Sequence, residues 1–176
     1  MNVTTKLSEN IRTIPDFPKP GIQFKDITPA LADPELCDEL AEALVEPFRD
    51  AGIDLIAGVE SRGFIFGPMM AQKLGCGFTP IRKKGKLPAD TYEQSYDLEY
   101  GQATIEMHKD AFDHGRKILI HDDLLATGGT AAAASELIIQ AGGSVAGFTF
   151  LIELDFLEGR KLLQPYSNNI VSIVRY

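Results

Sequence analysis

Residues 118–130 read ILIHDDLLATGGT. An aliphatic run of strand length meets two adjacent carboxylates, then a small glycine-bearing loop, then the alanine-rich opening of a helix. Asp122 and Asp123 can accept hydrogen bonds from vicinal hydroxyls. The loop can bring backbone N–H groups against a phosphate, and a helix N-terminus adds the positive end of its dipole. An Asp-Asp pair alone would read as an ordinary helix cap. Gly128 and Gly129 change that reading, because adjacent glycines cost backbone entropy and mark a tight turn or the close approach of a ligand. No Lys follows them, as a nucleoside-triphosphate P-loop requires, and no Gly-x-Gly-x-x-Gly follows a strand. The segment points to a ligand that carries a ribose and a phosphate.

The chain has 176 residues, a length that predicts one domain over residues 1–176, able to bury roughly 70% of its unfolded surface. Its net charge of −8 argues against a broad nucleic-acid footprint. Any anion site must therefore be built locally, against an unfavourable overall field. Cys37 and Cys76 lack metal-ligand spacing and read as small, partly buried thiols in a reducing cytosol. The N-terminus is polar, without the apolar stretch of a signal peptide, and no apolar run reaches membrane-spanning length. A cytoplasmic protein with no membrane partner is expected.

Leu7, Ile11 and Ile14 share a helical face within residues 1–14, and Pro15, Pro18, Pro20 and Gly21 then enforce a loop. Asp33-Pro34 starts a helix that buries Leu36, Leu40, Leu44 and Phe48 and ends by Gly52. A strand over 53–59 runs into the turn Glu60-Ser61-Arg62-Gly63-Phe64, followed by a helix through Leu74 and a strand over 78–82. The run 82–88 (RKKGKLP) is the only dense basic stretch; such a run is usually only a solvated loop. Tyr96, Leu98 and Tyr100, then Ala103, Ile105 and Met107, alternate with polar residues around Gly101-Gln102, as in an antiparallel hairpin. A strand over 117–121, a helix over 130–141 and strands over 145–154 and 170–174 complete the chain. The alternation predicts an α/β fold with a central, mostly parallel sheet flanked by helices and an antiparallel hairpin flap. Ligands gather at the carboxyl ends of such strands. The turns at 60–64, 82–86 and 122–130 would meet there, with carboxylates suited to sugar hydroxyls and hydrated Mg²⁺ and cations suited to a polyphosphate.

Taken together, these residues resemble the type I phosphoribosyltransferases, and among them the adenine phosphoribosyltransferases. HDDLLATGGT at 121–130 is similar to the family's signature for phosphoribosyl pyrophosphate. The segment 17–29 (FPKPGIQFKDITP) resembles the part that closes over adenine. ESRGF at 60–64 resembles the pyrophosphate loop, RKKGKLP at 82–88 the mobile catalytic loop, and YDLEYG at 96–101 its return arm. The resemblance implies a purine-salvage enzyme that converts adenine and phosphoribosyl pyrophosphate to AMP and pyrophosphate, with Mg²⁺ bound mainly through the donor, in a homodimer.

By the same resemblance, residues 15–29 close over the base and 82–101 form the mobile loop and flap. Asp122 and Asp123 hold the ribose. Ala126, Thr127, Gly128, Gly129 and Thr130 bind the 5-phosphate. Ser61, Arg62, Arg82, Lys83 and Lys86 meet the pyrophosphate. Gln23, Phe24, Lys25 and Leu154 surround adenine, with Phe24 and Leu154 sandwiching the ring. Glu99 is the catalytic carboxylate beside Tyr100, and Glu60 organises the metal side indirectly. Two residues depart from the family pattern. Lys25 stands where Arg is expected and loses its planar fork. His121 stands where an aliphatic residue is expected and reads as a satisfied strand-end histidine. The alternatives are the same chemistry on hypoxanthine, guanine, xanthine or orotate, and a donor-sensing regulator of the same fold.

Overall fold

The computed structural model describes residues 2–98 and 101–176. Helix α1 (Val3–Glu9) opens on Asn2, whose side chain accepts from the Thr5 N–H. It is shorter than the apolar spacing predicts. Ile14 lies instead in strand β1 (Arg12–Pro15), paired antiparallel with β2 (Gln23–Asp26). Ile14 precedes Pro15, and a residue before proline is driven from the helical to the extended region. A short helix α2 (Thr28–Leu31) leads to α3 (Pro34–Val45), capped by the Asp33 carboxylate on the Glu35 and Leu36 N–H groups. Leu36, Leu40, Leu44 and Phe48 are all buried. The α-helix stops at Val45, before the expected end, because Pro47 has no N–H for the ladder; a 3₁₀ turn carries Phe48.

The alternating part follows: β3 (Leu55–Val59), α4 (Gly63–Leu74), β4 (Gly77–Lys83), β5 (Thr91–Asp97), β6 (Gln102–His108), β7 (Lys117–Leu125), α5 (Gly129–Gln140), β8 (Ser144–Glu153), α6 (Gly159–Leu163) and β9 (Ile170–Arg175). Seven of these strands form one sheet in the order β5-β6-β4-β3-β7-β8-β9. The run from β4 to β9 is parallel, and the β5–β6 hairpin continues the sheet antiparallel along β4. The predicted mostly parallel sheet with a hairpin flap is therefore present. The separate two-stranded sheet of β1 and β2 is an addition that no sequence period announced. The first hairpin strand, β5, starts earlier than expected and stops at Asp97, so that Leu98 lies beyond it, its N–H donating to the Gly101 carbonyl. The return strand β6 covers Ala103, Ile105 and Met107 as expected; Tyr100 lies outside the described residues.

Side chains alternate along β7, as the pleat requires. Leu119 faces the cluster of Leu7, Leu40, Leu44, Phe66 and Met70, on the side of α1, α3 and α4. Ile118 and Ile120 face Ala134, Leu137 and Ile138 of α5. The strand does not end at His121: Asp122 pairs with Phe150 and Leu124 with Ile152 of β8. Both carboxylates thus sit on sheet backbone, a firmer mount than the predicted loop. No helix among the described residues is long and apolar enough to cross a membrane.

Helix α4 starts hard against β7. A Cβ on Gly63 would lie 2.7 Å from the His121 carbonyl oxygen, too close for either backbone to keep its place. Gly63→Ala is expected to lower unfolding stability by about 1–3 kcal/mol in urea titration. An unchanged midpoint would mean that α4 and β7 have slack at this contact.

Candidate active site at the carboxyl strand ends

Parallel register sets the site. Val59 of β3 stands opposite Ile81 of β4, and Gly58 of β3 opposite His121 of β7. The next residues along these strands are Glu60, Arg82 and Asp122. A cavity of 280 Å³ opens there, lined by Glu60, Ser61, Arg62, Lys83, Asp122 and Asp123. Two of the three predicted turns thus give most of the lining, and the third gives Lys83. The Arg62 guanidinium donates through Nε to Asp123 Oδ2 at 2.5 Å. The Asp123 side chain is 5% exposed and that of Arg62 42% exposed, so the arginine tip stays within reach of solvent. Burial raises the pKa of Asp122 well above the usual carboxylate range, and the neighbouring charge of Asp123 adds to it. Asp122 Oδ1 accepts the Asp123 N–H at 2.8 Å.

Asp122 also borders a smaller cavity of 70 Å³, whose other walls are Leu124 through Ala131. Ala126, Thr127, Gly128, Gly129 and Thr130 all line it, as expected for an anion cradle. Gly128 is the N-cap of α5 at φ 85°, and no side chain caps that helix start. The first-turn N–H groups are therefore left for a ligand or for water. Glycine at 128 is doubly required, because a Cβ would also fall 2.7 Å from the Gly159 carbonyl oxygen. The flap reaches this loop: Thr130 Oγ1 donates to the Tyr96 hydroxyl at 3.1 Å.

The basic loop is held by two carboxylates. Glu60 Oε2 accepts the Lys83 N–H at 2.9 Å, and both of its oxygens meet the Arg82 guanidinium at 3.3 Å. Arg82 Nη1 also donates to the Lys86 carbonyl. Here Arg82 braces the loop and does not line the cavity. Burial of Glu60 works to raise its pKa, but the Lys83 N–H and the charges of Arg82 and Lys86 outweigh it, and the net shift is downward. The second carboxylate, Glu106 on β6, was not singled out from the sequence. It is 3% exposed and accepts the N–H groups of Lys86 and Leu87 at 2.9 and 2.7 Å. Its position in an alternating strand made it look outward-facing; only the β4–β6 pairing, with Arg82 opposite Glu106, turns it under the loop. Burial opposes its charge, yet these N–H groups hold its pKa below the ordinary glutamate value. Glu106→Gln is expected to cost about 1–3 kcal/mol through the lost charge-assisted bonds and to speed proteolysis within residues 84–90. Unchanged cleavage there would remove Glu106 from the bracing role.

The base-side residues border a third and larger cavity of 730 Å³. Gln23, Lys25 and Leu154 line it, together with Leu124, Ala126 and Thr127. Phe24 is placed differently: its ring meets Phe17 edge-on at 5.2 Å and lies 5.5 Å from the Arg62 guanidinium. In this structure Phe24 therefore links the detached sheet to the 60–64 turn, and of the two residues expected to sandwich the base only Leu154 lines the cavity. Glu99 and Tyr100 lie outside the described residues.

His121 is satisfied at only one nitrogen. Nδ1 is 3.1 Å from the Thr149 carbonyl and 3.0 Å from its hydroxyl. A carbonyl only accepts, so Nδ1 carries the proton and Nε2 is a bare acceptor. Among the described residues Nε2 is the one buried side-chain N or O atom without a hydrogen-bond partner. Burial lowers the pKa from 6.5 to about 4, against the opposing pull of Asp123 and Thr149. Below pH 6.5 the unfolded chain takes up this proton before the folded one does. Stability should therefore fall as pH drops from 6.5 toward 4, by as much as ~3 kcal/mol from this group, with no contribution above 6.5. His121→Leu is expected to flatten that part of the stability–pH curve in denaturant titrations. Parallel curves for the two proteins would contradict a buried neutral histidine.

A parallel sheet with a phosphate-type loop after one strand and paired carboxylates at its end defines a phosphoribosyl-transfer scaffold. The chain belongs to the phosphoribosyl transferase domain family, whose model matches residues 27–173. Its relatives narrow the group. It is 54% identical over 162 residues to the adenine phosphoribosyltransferase of Thermobifida fusca (strain YX), covering 92% of each chain. Among solved structures, it matches the adenine phosphoribosyltransferase of Rhodothermus marinus DSM 4252 with a TM-score of 0.93 and 53% identity, over 99% of this chain and 98% of that one. It also matches the Saccharomyces cerevisiae enzyme, solved with adenine and an imino-altritol bisphosphate, with a TM-score of 0.91 and 40% identity, over 97% of this chain and 98% of that one.

Proposed function

We propose that this protein transfers 5-phosphoribosyl from phosphoribosyl pyrophosphate to adenine, yielding AMP and pyrophosphate in purine salvage. One observation carries the reading: Asp122 borders both the 70 Å³ phosphate cradle and the 280 Å³ polar cavity. A ribose on Asp122 and Asp123 would have its 5-phosphate on one side, at residues 126–130, and its pyrophosphate on the other, at Ser61, Arg62, Lys83 and Lys86. Arg82 serves by bracing Lys86. The base then occupies the 730 Å³ cavity beside Leu154, with the backbone of Gln23 and Lys25 reading its edge. The near relatives support adenine as that base.

In the reaction, adenine N9 bonds to ribose C1 as the C1–oxygen bond to pyrophosphate breaks. Negative charge grows on the leaving group, where Arg62 and Lys83 are aimed, and positive charge grows on the sugar, beside the aspartates. The N9 proton passes to Glu99, next to Tyr100, on the flap. An incoming pyrophosphate would compete with Asp123 for Arg62, freeing that carboxylate for the ribose hydroxyls. Among the described residues no three carboxylate, histidine or cysteine side chains are grouped to hold a metal ion by themselves. Mg²⁺ keeps several waters and takes one or two carboxylates plus substrate phosphates, so it would be held mainly through the donor, with Asp122 and Asp123 on the same cavity and Glu60 acting indirectly. When bound with the donor it would neutralise pyrophosphate charge. Residues 82–101 act as the flap and 15–29 as the base-closing segment of a single 1–176 domain, in a cytoplasmic homodimer.

A radiolabelled-adenine assay tests the reading. AMP is expected only when donor and Mg²⁺ are both supplied; turnover without the donor would contradict it. Glu99→Gln is expected to lower kcat by about 10²–10⁴-fold with donor affinity unchanged. Equal losses in both would count against Glu99 as the proton acceptor.

A further inference from the structure

The two-stranded sheet that carries Gln23 and Lys25 is not hydrogen-bonded into the seven-stranded sheet. Beyond the covalent chain, which ties it to α1 and through the buried Ile27 to α2, its position is set by side chains. One such bridge joins it to the far wall of the base cavity. The Lys25 ammonium lies 3.9 Å from the centroid of the Tyr176 ring and donates to Thr13 Oγ1 on the paired strand at 3.0 Å. Tyr176 is itself fixed to the main sheet by its backbone: its N–H donates to the Glu153 carbonyl and its carbonyl accepts the Asp155 N–H, both at 2.9 Å. Leu154 sits between those two anchor residues. Lys25, Leu154 and Tyr176 all line the same 730 Å³ cavity.

We propose that Tyr176 is a positioning residue that, through Lys25, holds the base-reading strand β2 against the end of β8 and so sets the affinity for the base. The proposal rests on the adenine reading for its kinetic consequence, though not for the tether itself. It also gives the lysine at 25 a physical role. A compact ammonium is attracted to the face of an aromatic ring and can keep a hydroxyl partner on its other side. Lys25 and Tyr176 line this cavity and neither lines the two cavities that Asp122 borders, so the loss of the bridge should be felt by the base and not by the donor.

The test compares Tyr176→Leu, Tyr176→Phe, Lys25→Met and the Tyr176→Leu/Lys25→Met double variant. A cation–ring contact at a partly exposed site corresponds to an increase of about two- to five-fold in KM for adenine for Tyr176→Leu. The donor KM and kcat should stay within about two-fold, which lies below the size of that contact. Tyr176→Phe keeps the ring and should restore the wild-type KM, and the double variant should be no worse than the poorer single one. Additive losses, or an equal rise in both KM values, would overturn the proposal. Amide hydrogen exchange on the free protein reads the tether without any substrate. Tyr176→Leu should speed exchange across residues 12–26 and leave β7 unchanged; unchanged exchange at 12–26 would overturn it. If the wild type failed to use adenine, the base assignment would fall, and the exchange result would still decide the tether.

Discussion

The parallel pairing of β3 with β4 on one side and β7 on the other is the constraint on which the rest of this molecule depends. It brings Glu60, Arg82 and Asp122 to one edge although they are widely separated in sequence. Side-chain chemistry alone could not do this, because the cluster is expensive to assemble. Asp122 and Asp123 repel each other in a site sheltered from water, and burial pushes the Asp122 pKa up. The sheet holds them there because Asp122 and Leu124 are paired with β8, and because Ile118, Leu119 and Ile120 are buried beneath them. Packing of an apolar strand on both faces supplies the stability that the carboxylates spend.

The electrostatics follow from that placement. A chain of net charge −8 is a poor host for polyanions, so its cations must be concentrated and aimed. Glu60 and Glu106 do this by gripping backbone N–H groups of the basic loop, which leaves Lys83 on the wall of the polar cavity, while the Lys84 ammonium pairs with Glu93 at 2.7 Å. Arg62 stands at the junction. It pairs with Asp123 and lies near Phe24, so a single side chain links the paired carboxylates at the end of β7 to the β1–β2 sheet. A donor that drew Arg62 away would be felt at both.

What could be read from the sequence was whatever is local. The aliphatic strand before Asp122, the Gly128-Gly129 turn, the Asp33 cap and the ESRGF turn each carry their meaning within a few residues, and each stands where expected. The ends of β7 and α3 were misplaced because two carboxylates look like a loop and Leu44–Phe48 look like one helix, until strand pairing and Pro47 decide otherwise. The rest was invisible because it lives in pairs of distant residues. Glu106 beneath the basic loop, Tyr96 on Thr130, and Lys25 on Tyr176 depend on which strands become neighbours, and no periodicity encodes that. Phe24 had the right segment but a different neighbour, since its ring is claimed by Phe17 and Arg62.

The central claim is that a donor held by its ribose and phosphates at the strand ends meets adenine in the cavity beside Leu154. The most direct measurement is a competition among equal concentrations of adenine, hypoxanthine and guanine for limiting phosphoribosyl pyrophosphate and Mg²⁺, with nucleotides and pyrophosphate both quantified. The account expects AMP to dominate and to appear in step with pyrophosphate. Faster formation of the hypoxanthine or guanine nucleotide, or nucleotide formed without matching pyrophosphate, would contradict it.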